Sequence, residues 1–131
     1  MIIIGGTLFL MIETPVLSLK EIVYFVNDIK RARDWFLLAF GGSKDFESEF
    51  YNSISAGGLS IGFHPSDEKT LPGVKGQVAY WLVDDMKKAI EHFTKMGCTI
   101  YRGPINSIDS EIVAQLIDPF GNALGLIEKK R

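Results

Sequence analysis

The chain has 131 residues, of which 47% are hydrophobic and 23% are charged, and its formal net charge is −2. This profile predicts one globular domain that buries a single substantial core, and it excludes an intrinsically disordered chain. Acidic and basic residues are well mixed and form no basic stripe, which argues against a nucleic-acid partner.

The first 19 residues are predicted to be an N-terminal extension. They begin MIIIGGTLFLMI, which is apolar but too short to span a membrane, and no Lys or Arg precedes it as in a signal peptide. The segment predicts an extra strand, or else a true start at Met11. The only cysteine, Cys98, excludes an internal disulfide and a cysteine-based zinc site, and we interpret it as a small buried residue. We expect a cytoplasmic protein with no membrane partner.

Two segments of the chain repeat each other at a distance of 57 residues. The first is VNDIKRARDWF at 26–36 and the second is VDDMKKAIEHF at 83–93, and they share Val, Asp, Lys, Ala and Phe at equivalent positions. This spacing is too long for a solenoid of short repeats. It predicts two copies of one module, about 20–64 and 77–128, inside a single domain at 20–131.

Each module opens with a predicted strand and continues with a predicted helix. The strands are the β-branched and aromatic runs EIVYFV at 21–26 and VAYWLV at 78–83. Asp28 and Asp85 then stand at N-cap positions before apolar residues at helical spacing. The helices are predicted near 28–41 and 85–97, each ending at glycine.

Further strands are predicted after each helix. In the first module they lie at roughly 45–54 and 58–64, joined by the turn Ala56-Gly57-Gly58. In the second they lie at 98–102, 111–117 and 122–128, the last two joined by Asp118-Pro119-Phe120-Gly121. Residues 65–76 are interpreted as the linker between the modules. The predicted order is therefore β-α-β-β(-β), repeated.

This pattern resembles the vicinal oxygen chelate superfamily, which includes glyoxalase I, methylmalonyl-CoA epimerase, extradiol dioxygenases and the bleomycin and fosfomycin resistance proteins. The resemblance covers 20–128 and is carried by VNDIKRARDWF and by DPFGNALGLIE at 118–128. It implies an α+β fold of two βαβββ modules, with mixed or antiparallel sheets curled into a cleft and helices outside. It also implies a homodimer.

The resemblance implies four metal-ligand positions, which correspond here to Glu21, Val78, Gly62 and Gly125. Only Glu21 has a side-chain donor, although His64 is expected on the same strand face as Gly62. Zinc, nickel and similar ions need several N or O donors, so we expect neither a metal nor any other cofactor. The catalytic residues of any reaction stay undefined.

Strand alternation predicts which side chains line the cleft, and the two glycines are expected to enlarge it. This predicted cleft set mixes aromatic, aliphatic and small residues with a few polar groups, as small-molecule pockets do. Its members are Glu21, Val23, Phe25, Ser60, Gly62, His64, Val78, Tyr80, Leu82, Gly125 and Ile127.

Three hypotheses follow from these residues. The first is a metal-free protein that binds a small, partly apolar molecule in the cleft. The second is an enzyme with an atypical metal site, of a lactoylglutathione-lyase-like, isomerase or dioxygenase type. The third is a structural or regulatory dimer module without a ligand. The missing donors favour the first.

Overall fold

The computed structural model describes residues 2–9, 15, 19–75, 77–106 and 110–129. Its helices are α1 (Ile29–Phe40) and α2 (Met86–Lys95). Its strands are β1 (Ile2–Ile4), β2 (Thr7–Phe9), β3 (Ile22–Val26), β4 (Ser43–Glu47), β5 (Asn52–Ala56), β6 (Leu59–Pro65), β7 (Tyr80–Leu82), β8 (Thr99–Asn106), β9 (Glu111–Ile117) and β10 (Ala123–Lys129).

The two modules have the same sheet topology. Each forms a four-stranded sheet, in the order β3-β6-β5-β4 in the first module and β7-β10-β9-β8 in the second. The first strand of each module pairs in parallel with the last, and the other pairs are antiparallel. A parallel pair needs a long crossover connection, which begins here with the helix after the first strand. The predicted α+β fold of two βαβββ modules is confirmed, and neither sheet closes on itself.

The helices begin at the predicted caps. The Asp28 carboxylate accepts a hydrogen bond from the Arg31 amide at 3.0 Å, and Asp85 accepts one from the Lys88 amide at 3.1 Å. Each bond satisfies an amide that has no partner inside the helix. Helix α1 ends at Gly41, whose φ of 72° lies in the left-handed region that glycine adopts most easily.

Three predicted strand boundaries were wrong. The stretch 45–54 is two strands, β4 and β5, separated by a turn in which Ser48 Oγ accepts from the Tyr51 amide at 3.0 Å. A serine side chain can hold such a turn without glycine or proline. The strand predicted at 78–83 is only Tyr80–Leu82, because its pairing with β10 begins at Tyr80. The strand predicted at 98–102 continues to Asn106.

The N-terminal extension contains a hairpin. Strands β1 and β2 pair antiparallel around Gly5 and Gly6, whose φ angles of 56° and 81° suit a tight turn. The predicted extra strand is therefore a pair of strands, whereas Met11 lies outside the described residues. No helix in the described part of the chain is long and apolar enough to cross a membrane.

The hydrophobic core lies between the sheets and the helices. Tyr24 and Val26 are buried with Phe36 of α1, whereas their neighbour Val23 is 37% exposed. A second cluster forms around α2 and includes Phe93, Leu116 and Leu124. Side chains therefore alternate between a buried helix face and an open face, which we define as the strand faces opposite the helices.

The two modules are held together through their helices. Trp35, Phe40 and Trp81 pack against both hydrophobic clusters. The indole N–H of Trp35 donates to the Met96 carbonyl at 2.8 Å, which joins α1 to the end of α2. His92 of α2 places Nε2 3.0 Å from the carbonyl oxygen of Ala39. These contacts fix the relative position of the two sheets.

Three buried polar atoms near this junction have no hydrogen-bond partner among the described residues. They are the Tyr24 hydroxyl, the Trp81 indole nitrogen and Oδ2 of Asp118. Burial, followed by the charge of Asp118, raises the pKa of Tyr24 to about 12. Burial also raises the pKa of Asp118, against the opposing effect of backbone N–H donors from Asn122 and Phe120. The junction therefore disfavours a charged Asp118.

Candidate ligand-binding face

The sheet registers place the predicted cleft residues opposite one another on the open face. In the first module Val23 lies opposite Gly62 and Phe25 opposite His64. In the second module the pairs are Tyr80 with Gly125 and Leu82 with Ile127. Side chains of paired residues project to the same face of a sheet.

A hydrogen-bonded carboxylate lies on the first module's open face, above β6. The Tyr51 hydroxyl donates to Oε1 of Glu21, and Ser60 Oγ lies 3.5 Å from the same oxygen. A Cβ added to Gly62 would overlap the Tyr51 hydroxyl and lie 2.8 Å from Glu21 Oε1. The Glu21–Tyr51 pair therefore lies directly over Gly62, where only a glycine leaves it room.

Tyr51 is held in its protonated, donating form. Its pKa is raised by burial, then by its hydrogen bond to Glu21 and by the negative charges of Glu21 and Asp45. A phenol between two carboxylates loses its proton less easily, because the phenolate would add a third negative charge. The hydroxyl therefore donates to Glu21 at neutral pH.

Four aromatic side chains form a continuous row beside this carboxylate. The ring centroids of Phe25 and His64 are 5.6 Å apart, those of His64 and Tyr51 are 6.5 Å apart, and those of Tyr51 and Phe46 are 6.3 Å apart. Phe46 is 54% exposed, and His64 is also exposed. We call these four residues the aromatic row.

The open face of the second module also places a tyrosine over a glycine. A Cβ added to Gly125 would lie 2.6 Å from the Tyr80 ring and 2.8 Å from the Ala79 carbonyl oxygen. Gln115 Nε2 donates to the Tyr80 hydroxyl at 2.8 Å. The expectation that Gly62 and Gly125 enlarge the cleft was therefore wrong, because a tyrosine covers each of them.

A cleft of about 620 Å³ lies between β3 and the segment 77–79 that precedes β7. Val23, Phe25 and Val78 line it together with Leu19 and Leu71. The structure thus brings three of the predicted cleft residues, from both modules, together in this cleft. Leu82 does not line this cleft; it is 72% exposed at the far end of β7.

Sequence reasoning missed Tyr51, Phe46 and Gln115. Tyr51 and Phe46 fall in the stretch that was predicted as one strand, so their common face could not be assigned. A signal for Tyr51 was present, because Tyr51, Ser53 and Ser55 alternate and Ser53 pairs with Gly62. Gln115 offered no local signal, since its partner Tyr80 is 35 residues away.

The four implied metal-ligand positions do not fit a metal ion. Val78 has no donor, and the space above Gly62 and Gly125 is filled by tyrosine rings. His64 Nδ1 lies 2.8 Å from the carbonyl oxygen of Pro65. Among the described residues no group of three or more His, Cys, Asp and Glu side chains could hold a metal ion. Glu21 is therefore a carboxylate in a hydrogen-bonded and aromatic setting.

The fold and the open face define a protein of paired βαβββ modules. Residues 18–126 match the family model described as the Glyoxalase/Bleomycin resistance protein/Dioxygenase superfamily, and the chain belongs to this superfamily. A search of curated proteins gives no significant match.

Several solved structures share the fold. A glyoxalase/bleomycin resistance protein/dioxygenase family enzyme from Burkholderia phytofirmans PsJN is 17% identical, with a TM-score of 0.72, over 85% of this chain and 98% of that one. A superfamily member from Sphaerobacter thermophilus is 17% identical, with a TM-score of 0.71, over 87% and 98%. The fosfomycin resistance protein FosX from Listeria monocytogenes, complexed with Mn(II) and sulfate, is 12% identical, with a TM-score of 0.70, over 90% and 93%.

Proposed function

We propose that this protein is a metal-free member of its superfamily that binds a small, partly apolar molecule on the open face. The observation that carries the metal-free part is the tyrosine over each glycine. Tyr51 and Tyr80 occupy the space in which donor side chains from positions 62 and 125 would have to stand. With Val78 as the third position, Glu21 is the one donor left of four, and affinity for a divalent ion falls steeply with donor number.

The binding part of the proposal is supported by the composition of the open face. Val23, Tyr80 and Leu82 are 37%, 43% and 72% exposed, and Phe46 is 54% exposed. Exposed apolar side chains that surround a few polar groups mark ligand sites more often than ordinary surface. Here the polar groups are Glu21 and, in the other module, the Gln115–Tyr80 pair.

Assembly as a homodimer is part of the same proposal. Module 2 exposes Ile100, Tyr101 and Ile105 along β8, which lies at the edge of its sheet. An unpaired edge with apolar side chains is a surface that natural proteins usually cover. Light scattering should give the mass of a dimer at micromolar concentration, and a monomer would count against this part.

The free, buried thiol of Cys98 is consistent with the proposed cytoplasmic location.

Ligand mapping by NMR tests the binding part of the proposal. A fragment library should shift the backbone amides of Gly62, Gly125 and their strand neighbours, while amides on the solvent side of α2, such as that of Lys88, stay in place. Shifts confined to other surfaces would favour a structural dimer module without a ligand at this face. Binding that appears only after a divalent metal is added would favour the metal-dependent enzyme.

A further inference from the structure

The setting of Glu21 restricts the charge of the ligand. Among the described residues, Tyr51 and Ser60 are the hydroxyl donors near Glu21 and both reach Oε1, which leaves Oε2 as an acceptor for a further donor. Within the described part of the chain, the ion pairs are those of Arg33 with Asp34 and Glu47, and none involves Glu21. A half-buried carboxylate without a counter-ion favours a cationic partner, since such a pair is stronger than a neutral hydrogen bond.

The aromatic row also favours a positively charged ligand. Aromatic faces carry partial negative charge and attract a cation that lies within about 6 Å of the ring centroid. Tyr51 belongs to the row and also donates to Glu21, so the carboxylate and the rings are adjacent. Phe46 and His64 are exposed, which leaves their rings accessible.

We propose, on the basis of the function proposed above, that the open face of the first module selects an organic cation. The ligand would be an amine or quaternary ammonium compound with an apolar or aromatic portion. Its positive group lies against Glu21 and the Tyr51–Phe46 end of the aromatic row, and its apolar portion extends past Phe25 toward Val23 in the cleft beside β3. The carboxylate that resembles a remnant of a metal site is thus the counter-ion of the ligand.

A series of probes that share a 2-phenylethyl group and differ in the charge of the group attached to it tests this inference. The probes are 2-phenylethylamine, 2-phenylethanol and 3-phenylpropionate, titrated with a chelator present and followed through the amides of the open face. The amine should bind most tightly and the carboxylate most weakly. Glu21→Gln keeps the acceptor for Tyr51 but removes the charge, and it should weaken amine binding by about tenfold or more while the alcohol is unaffected.

Two further variants complete the test. Glu91→Gln, an exposed carboxylate on α2, should leave all three affinities unchanged. Phe46→Leu keeps an apolar side chain but removes a ring of the row, and it should weaken the amine more than the alcohol. If the alcohol or the carboxylate binds as well as the amine, or Glu21→Gln has no effect, the cation inference is wrong while the binding function stands. If no probe perturbs the open face, both the inference and the proposed binding function are wrong.

Discussion

At the scale of single residues, the two glycines of the open face are the main support for the metal-free proposal. Gly62 and Gly125 occupy corresponding positions in the last strands of the two modules, and each is covered by a tyrosine. The tyrosines come from different elements, since Tyr51 precedes β5 and Tyr80 begins β7. The two modules have thus reached the same local arrangement through different side chains.

The two glycines should differ in their tolerance of a side chain. In Gly62→Ala the new methyl group meets the ends of two side chains, Tyr51 and Glu21, which can move. We expect a loss of about 1 kcal/mol in the free energy of unfolding as their hydrogen bond breaks. In Gly125→Ala the methyl group also meets the Ala79 carbonyl oxygen at 2.8 Å, so the backbone must shift and the loss should be larger, about 2–3 kcal/mol.

Urea denaturation of the two variants measures this difference. Gly73→Ala is the matched control, because a Cβ at Gly73 meets nothing within 4 Å, and its stability should stay within about 0.5 kcal/mol of the wild type. Equal losses for Gly62→Ala and Gly125→Ala would mean that Tyr51 is as immovable as the backbone.

The sequence predicts the residues of the open face better than their contacts. Alternation assigns Glu21, Val23 and Phe25 to one face, and the burial of Tyr24 and Val26 marks the opposite face of β3. The coverage of Gly62 by Tyr51 depends on a turn that Ser48 stabilises, and that turn has none of the usual glycine or proline signals. The predicted cleft is open above Gly62, whereas Tyr51 covers this glycine in the structure. The difference arises because alternation along a strand does not predict packing between side chains that are distant in sequence.

At the scale of elements, the sequence repeat is a repeat of helix caps and strand order. Asp28 and Asp85 make the same hydrogen bond to the third residue of their helices. Both helices were predicted within one or two residues, because cap chemistry and apolar spacing are local properties. The two strands within 45–54 were not predicted as separate strands, because alternation alone cannot distinguish one strand from two strands joined by a polar turn.

The equivalence of the two caps gives a prediction. Asp28→Ala and Asp85→Ala should each lower the free energy of unfolding by about 1 kcal/mol, since each leaves a helix amide without its acceptor. The double variant should lose the sum, because the caps belong to different helices and share no hydrogen-bond partner. Chemical denaturation of the three variants measures these losses. Asp28→Asn, which retains an acceptor, is the control and should be nearly neutral. A negligible loss at one cap would show that the modules are not equivalent in stability.

At the scale of the whole molecule, the helices join the modules, and the open faces lie on the opposite side of each sheet. The junction contains Tyr24, Trp81 and Asp118 with polar atoms that lack partners within the described ranges. Because burial raises the pKa of Asp118, the folded protein holds this proton more tightly than the unfolded chain. The stability from Asp118 is therefore fully present below the unfolded pKa and is lost as the pH rises through the raised folded pKa.

Comparison with Asp118→Asn isolates this effect. The free energy of unfolding of the wild type relative to the variant should fall as the pH rises from about 4 to about 7. Asp67→Asn provides a control of opposite sign. The Thr70 hydroxyl donates to Asp67 and lowers its pKa, so the stability from Asp67 is lost as the pH falls. Urea titrations measure both slopes, the first across this range and the second below about pH 4, where the Asp67 carboxyl takes up its proton. A flat difference for Asp118→Asn would contradict the account of the junction.

We propose that this superfamily member uses its open face without a metal, and elemental analysis tests that proposal most directly. Protein purified without added metal, treated with a chelator and dialysed, should retain far less than one divalent ion per chain. Glu21→Ala should not change that content, because a single carboxylate in a hydrogen bond to Tyr51 is too weak a ligand alone. One tightly held ion per chain that disappears in Glu21→Ala would contradict the claim and favour the metal-dependent enzyme.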